Sequence, residues 1–270
     1  MRKVIISVAP VWGQDTSIDP AGIARDVEQC AKKGAAMVHL HVRDRRGRLT
    51  SDLKVLEETV RQIRSRCDIM IEVSTGGVSN LTIEERCAPL PVQWAEAASL
   101  NVGSVNLGEA VYANPVCEVE YCVGQILKYK KIPEIEVFEL GMIKTAAELV
   151  QKYHMPAPIL LSIVLGHQGA APATKRILYS MIDAVKEFFP HGQVLWGITQ
   201  ANRKNFDLIE EALDMGASTV RIGFEDSPWL APDQRSDANW LLVEKVKGIL
   251  QKKGLSPATP DEARKILGSR

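Results

Sequence analysis

Short β-branched runs alternate with longer amphipathic stretches along the whole chain. The runs read as strands at Val4–Ala9, Met37–Val42, Ile69–Ser74, Ala98–Asn101, Glu134–Glu139, Ile159–Val164, Gln193–Ile198 and Thr219–Ile222. Their starts fall roughly 25 to 35 residues apart, and a helical pattern fits most of the gaps. In the first gap a helical stretch opens at Pro20 and ends in Lys32-Lys33-Gly34, basic residues and a glycine where a helix should stop. Gly34-Ala35 and Gly216-Ala217 each stand just before a strand, as turns from helix to strand do. The fourth strand has an ambiguous end. Residues Ser99 to Asn106 alternate small polar and apolar side chains, so it stops at either Asn101 or Asn106. Strands alternating with helices specify parallel βαβ units, and eight units favour closure over an open sheet. The expected fold is α/β, a single-domain (β/α)8 TIM barrel over residues 1–270.

Composition narrows the class. A (β/α)8 barrel takes about 250 residues, so one barrel would use nearly all of the 270. The 46% hydrophobic and 24% charged residues are those of a soluble globular protein that needs no disulfide staples. With 33 basic and 33 acidic residues, no general pull toward nucleic acid or an anionic membrane exists. The first twenty residues hold only a short apolar run, too short for a signal peptide, and no membrane-length run follows. The five cysteines (30, 67, 87, 117 and 122) are odd in number and scattered. Reduced thiols in a cytoplasmic protein are expected.

Polar residues gather where these strands end, the face on which a barrel builds its active site. In Val38-His39-Leu40-His41-Val42, alternation puts both imidazoles on one side and the three aliphatic residues on the other. If the aliphatic residues pack against helices, the histidines enter the barrel. Two imidazoles about 6 to 7 Å apart along a strand can converge on one divalent cation. The bland reading is a pair of hydrogen-bonded core histidines, which two of only five histidines on one inward face argues against. Such a site needs a further ligand, and an open position would make it catalytic. After the eighth strand, Arg221-Ile-Gly-Phe-Glu225-Asp226 offers a carboxylate pair, with Asp226 the natural partner for an inward Arg221. Ser74-Thr-Gly-Gly77 reads as an oxyanion or carboxylate pocket or as a plain glycine turn. Gly166-His167-Gln168-Gly169 invites the same two readings and leans toward the loop. Arg43 to Arg48, and Arg203-Lys204 at the opening of the next-to-last barrel helix, are candidate phosphate contacts at the mouth.

In this order, these segments resemble the β-keto acid cleavage enzymes. The likeness is carried by His39-Leu-His41-Val-Arg43, Ser74-Thr-Gly-Gly77, Ala98-Ser-Leu-Asn101, Glu136-Val-Phe-Glu139 with Gly141-Met142, and Arg221-Ile-Gly-Phe-Glu-Asp226. Ala258-Thr-Pro-Asp-Glu-Ala-Arg264 also looks familial. The resemblance implies a barrel dependent on Zn2+ or another divalent transition metal, held by His39, His41 and Glu225. It implies acetyl-CoA as cosubstrate and a small β-keto acid as substrate, exchanged to acetoacetate and a new CoA thioester. Arg221 would take part in proton abstraction with Asp226 as its partner. Ser74, Gly77 and Ser99 would line the substrate-carboxylate pocket, and Asp15 would meet the far end of the keto acid. A homotetramer is implied as well. Two positions depart from the best-known member: Ser99 replaces a threonine, and Asp15 replaces a glutamate that meets a substrate ammonium.

A guanidinium is a poor base, with a pKa above about 12. Arg221 can therefore act only if its neutral form is transiently stabilised, or if Asp226 takes the proton through it. The competing reading is a metal-dependent hydrolase on the same barrel, with a metal-activated hydroxide as nucleophile. Against it, such hydrolases usually carry the histidine pair on the first strand. A barrel that binds metabolites without turnover is a third reading, opposed by the apparently complete constellation.

Overall fold

The computed structural model describes residues 1–190 and 194–268. The eight runs form parallel strands: β1 (Lys3–Val8), β2 (Met37–Leu40), β3 (Met70–Val73), β4 (Ala97–Asn101), β5 (Ile132–Val137), β6 (Ile159–Leu165), β7 (Val194–Gln200) and β8 (Thr219–Ile222). Each pairs with its neighbours in sequence order. β8 then returns to β1, from Ile5–Thr219 to Val8–Ile222, and the barrel closes. Eight helices follow the strands: α1 (Pro20–Lys33), α2 (Lys54–Arg64), the single turn α3 (Ile83–Arg86), α4 (Val116–Lys128), α5 (Leu140–Lys152), α6 (Lys175–Phe188), α7 (Asp207–Asp214) and α8 (Asn239–Lys252). The expected start of the seventh strand at Gln193, and the last two positions of the chain, lie outside the described residues.

Local chemistry sets the element ends. Asp19 caps α1 by accepting from the Ala21 N–H, Pro20 opens it, and Gly34 at φ +117 ends it after Lys32-Lys33. The fourth strand stops at Asn101, because Val105–Leu107 turns back in an antiparallel hairpin with Ala110–Tyr112. The fifth strand spans Ile132–Val137 rather than 134–139, since Glu139 is already the N-cap of α5. The β2 ladder ends at Leu40, so His41 and Val42 continue past the paired region toward the mouth.

Strand parity divides two cores. Val4, Ile6, Val8, Val38, Leu40, Ile71 and Val73 face outward into the layer between barrel and helices. Ile5, Met37, Met70, Ala97 and Leu160 face inward at the N-terminal end of the strands. There they meet Ala258, Ala263, Ile266 and Leu267, so α9 (Pro260–Ile266) plugs the bottom of the barrel. A reciprocal capping box between Thr259 and Glu262 starts this helix. Arg264 ties it to strand ends nearby, 2.6 Å from Glu96 and 2.7 Å from Asp68. The familial look of residues 258–264 is thus a stability feature. Above the apolar plug the barrel interior turns polar. Among the described residues, no helix is long and apolar enough to cross a membrane.

Candidate active site

The polar interior begins with His39, fully enclosed on β2, and His41 just beyond the ladder. Their Nε2 atoms lie 3.4 Å apart. The Glu225 Oε1 is 3.3 Å from the His41 Nε2 and 3.7 Å from the His39 Nε2. All three ligand atoms fall within 4.8 Å of one another, close enough for a single cation to reach each. The turn after β8 delivers Glu225. Gly223, at φ +149, presses on Ala9 so closely that a Cβ would lie 2.1 Å from the Ala9 carbonyl oxygen. The Glu225 N–H donates to that same oxygen at 3.2 Å.

The residues behind the cluster fit a cation. The His39 Nδ1 meets the Glu72 Oε1 at 3.0 Å, which favours the tautomer that leaves Nε2 free to ligate. Burial raises the Glu225 carboxyl, but His41, His39 and Arg221 outweigh it and hold the group well below the usual carboxylate range. Burial lowers the His41 imidazole, against the pull of Glu225, and so favours the neutral, ligating form. Two imidazole nitrogens and one carboxylate suit zinc or a neighbouring divalent transition metal.

Deeper in the barrel three more carboxyls crowd together. Burial pushes Glu72 up to about 7, with a hydrogen bond to Glu134 pulling the other way. Burial, then the charge of Glu72, lifts Glu134 well above its ordinary value. Burial also raises Glu136, against the attraction of Arg221. Arg221 is the cation of this layer. It donates to Asp226 through Nε at 3.2 Å and Nη2 at 2.7 Å, and to Glu136 through Nη1 at 2.9 Å. Burial opposes its charge, but Asp226, Glu225 and Glu136 prevail and keep the guanidinium protonated.

One cavity of about 220 Å³ touches His39, His41, Ser74, Gly77, Glu136, Arg221, Glu225 and Asp226 together. Of the sequence candidates, Ser74 and Gly77 therefore lie in its wall. Ser99 sits behind the wall instead: its Oγ accepts from the Thr75 N–H at 3.2 Å, and its carbonyl receives the Thr75 hydroxyl at 2.7 Å. Asp15 stands in the outer mouth with Arg43, Arg46 and Arg48, its Oδ2 accepting from the Trp12 N–H at 3.1 Å. Arg43 donates to the Gly47 carbonyl, and Arg48 pairs with Asp44. Arg203 is not a phosphate contact. The helix opens at Asp207, four residues later than expected. The Arg203 guanidinium is buried, bonded to the Trp229 and Ser227 carbonyls and stacked 4.0 Å from the Phe206 ring centroid.

Sequence reasoning gave no role to Glu72, Glu134, Glu136, Tyr112, Phe138 or His167. The glutamates had a signal in Glu134-Ile-Glu136-Val, acidic and apolar residues alternating as a strand with a polar inner face would. His167 lines the cavity beside Phe138, with ring centroids 5.8 Å apart, although its segment reads as a loop. Tyr112 arrives from the short hairpin, and its hydroxyl occupies the space a Cβ on Gly76 would need.

A closed parallel barrel with a His-His-Glu donor set and a buried Arg–Asp pair at the C-terminal ends of its strands defines a (β/α)8-barrel enzyme. The chain belongs to the beta-keto acid cleavage enzyme family, whose sequence profile matches residues 3–268. It is 35% identical over 277 residues to the 3-keto-5-aminohexanoate cleavage enzyme of Fusobacterium nucleatum subsp. nucleatum, covering 99% of this chain and 98% of that one. It is 30% identical to the 3-oxoadipate:acetyl-CoA acetyltransferase of Cupriavidus necator, over 99% and 95% of the two chains. Among solved structures, ObcA bound to oxaloacetate superposes with a TM-score of 0.78 at 19% identity, over 93% of this chain and 66% of that one, a likeness of fold.

Proposed function

We propose that this enzyme exchanges acyl groups between a β-keto acid and acetyl-CoA, giving acetoacetate and a new CoA thioester. The observation that carries the proposal is the convergence of His39, His41 and Glu225 beside the Arg221–Asp226 pair in a chain of this family. In the exchange, the C2 carbanion of the keto acid bonds to the acetyl carbonyl carbon and thiolate leaves. The thiolate adds to the former ketone, and cleavage between C2 and C3 releases the acyl thioester and the acetoacetate carbanion, which takes back at C2 the proton first removed from it. Atoms and electrons balance without an added oxidant or reductant.

His39, His41 and Glu225 would hold the cation, zinc or another divalent transition metal, which would supply Lewis-acid polarisation of the ketone. The hydroxyl of Ser74 and the backbone at Gly77 would orient the substrate carboxylate. Ser99 would act through Thr75, fixing that turn. Because Arg221 is held protonated, the pair accepts a proton from C2 only by placing it, in net terms, on the Asp226 carboxylate. Arg221 supplies positive charge beside the developing enolate. Asp15 would read the tail of the keto acid at the mouth. The two relatives carry different keto acids in their names, 3-keto-5-aminohexanoate and 3-oxoadipate, so family membership alone leaves the tail open.

The deciding experiment is a panel of β-keto acids with acetyl-CoA, following acetoacetate and the new thioester together. Stoichiometric formation of both is expected for at least one acid. Substrate hydrolysis that proceeds equally well without acetyl-CoA would replace this reading with that of a metal-dependent hydrolase. The working assembly is proposed to be a cytoplasmic homotetramer, which light scattering of the purified protein checks.

A further inference from the structure

Between β8 and Glu225 lies Phe224, whose N–H finds no partner in the flanking strands. It donates instead to the side chain of Asn239, at 2.7 Å. Asn239 is the first residue of α8 and is 1% exposed. Its amide nitrogen donates to the Pro10 carbonyl at 3.0 Å and to the Asp26 Oδ2 at 2.6 Å. One carboxamide thus joins the end of β1, the middle of α1 and the turn after β8. All three hydrogen bonds fix the same orientation, because the oxygen must face an N–H and the nitrogen must face two acceptors.

We infer that Asn239, oriented by Asp26, is the positioning residue that sets Glu225 against His39 and His41. The inference rests on Glu225 being a metal ligand. Gly223 and Glu225 are both pinned to Ala9, the first by close packing and the second by its N–H. Between them, the Phe224 ring packs against the outer core, and its N–H is held from the far side by Asn239. Releasing that amide frees the backbone immediately before the ligand, 184 residues along the chain from His41. No other common side chain makes this bridge at this length. Aspartate could accept from Phe224 but would face the Asp26 carboxylate and the Pro10 carbonyl with no proton to give. Alanine does neither.

The test titrates Co2+ and Zn2+ into metal-stripped protein, reading cobalt d–d absorption and Zn2+ affinity by chelator competition, with far-UV circular dichroism to verify the fold. Asn239→Ala is expected to weaken metal binding roughly 10- to 100-fold and to alter the cobalt spectrum, the scale on which outer supports act. Should the alanine variant fail to fold, Asn239→Leu, close in volume and unable to accept from Phe224, is read in its place with the same expectation. The double variant Asn239→Asp with Asp26→Asn keeps an acceptor for Phe224 and reverses donor and acceptor toward residue 26, losing only the bond to Pro10, so it is expected to bind metal more tightly than Asn239→Ala. Wild-type affinity and spectrum in a folded Asn239→Ala or Asn239→Leu protein would overturn the inference. Failure of the metal reading looks different: wild type would then bind Co2+ no better than His39→Ala.

Discussion

A histidine pair on a strand becomes a cation site only if something holds each ring and removes competing protons. Here Glu72 backs His39, and Glu225 closes the third corner. His39→Ala should therefore lose most of its bound metal while the barrel stays folded, and elemental analysis with circular dichroism checks both halves. Full occupancy in that variant would exclude His39 as a ligand. The Arg221–Asp226 pair makes a separate prediction. Asp226→Asn and Arg221→Met should each lower turnover about 100-fold or more with metal content little changed. Arg221→Met should also destabilise the fold by about 3–5 kcal/mol, since it strands two buried carboxylates without their donor. A wild-type rate in either variant removes that residue from the chemistry. Glu72 gives a pH signature. Its folded value, about 7, stands above the ordinary glutamate value of 4.5, so its stabilising protonation is complete below 4.5 and lost as pH rises through 7. Metal-free wild type should lose more of its Tm between pH 5 and pH 8 than Glu72→Gln does. An equal or steeper loss in the variant would place the titration elsewhere.

Elements explain why some residues were readable and others were not. The outer faces of β1 to β3 repeat aliphatic residues, mostly β-branched, at every second position, so strands, parity and closure followed from the pattern alone. His39 and His41 were legible for the same reason, because parity alone sends both inward. Without the family resemblance, the pattern nominates Glu225 only as half of a carboxylate pair, since its aim depends on how Gly223 lies against Ala9 from the other end of the chain. Ser99 belongs to the right strand, yet the Thr75 backbone consumes its hydroxyl, a contact between strands that no spacing encodes. Arg203 misled because a basic pair near a helix start resembles an anion site, whereas the carbonyls of residues 227 and 229 claim it. At the other end of the barrel, α9 contributes packing and no chemistry. Leu267, 3% exposed against Ile5 and Met37, should cost about 2–5 kcal/mol when cut to alanine. Denaturant midpoints measure that loss, and metal affinity should not move. A fall in metal affinity without a fall in stability would contradict the division between the two ends.

The whole molecule keeps its apolar plug and its polar cavity at opposite ends of the barrel, so residues at the mouth can change without disturbing the plug. Asp15 is the position to alter. Gly47, at φ +76, packs against the Asp15 carbonyl, and the two loops hold that carboxylate at the mouth among Arg43, Arg46 and Arg48. If the tail of the keto acid carries an ammonium, Asp15→Ala should cost about 1.5–3 kcal/mol, roughly a 10- to 150-fold loss in kcat/KM. An alkyl tail offers that carboxylate nothing, so the ratio of kcat/KM for a cationic and an alkyl substrate should shift toward the alkyl acid. An unchanged ratio would make Asp15 a turn residue only. The plug at the far face carries a consequence of another kind. Its inner layer draws Ile5, Met37, Met70 and Leu160 from across the sequence, yet its cover comes from residues 258–267. During synthesis those side chains leave the ribosome long before their lid exists. A nascent chain stalled with residue 250 just outside the ribosome would show an open greasy ring to solvent, and holdase chaperones should bind there and let go once Leu267 has emerged.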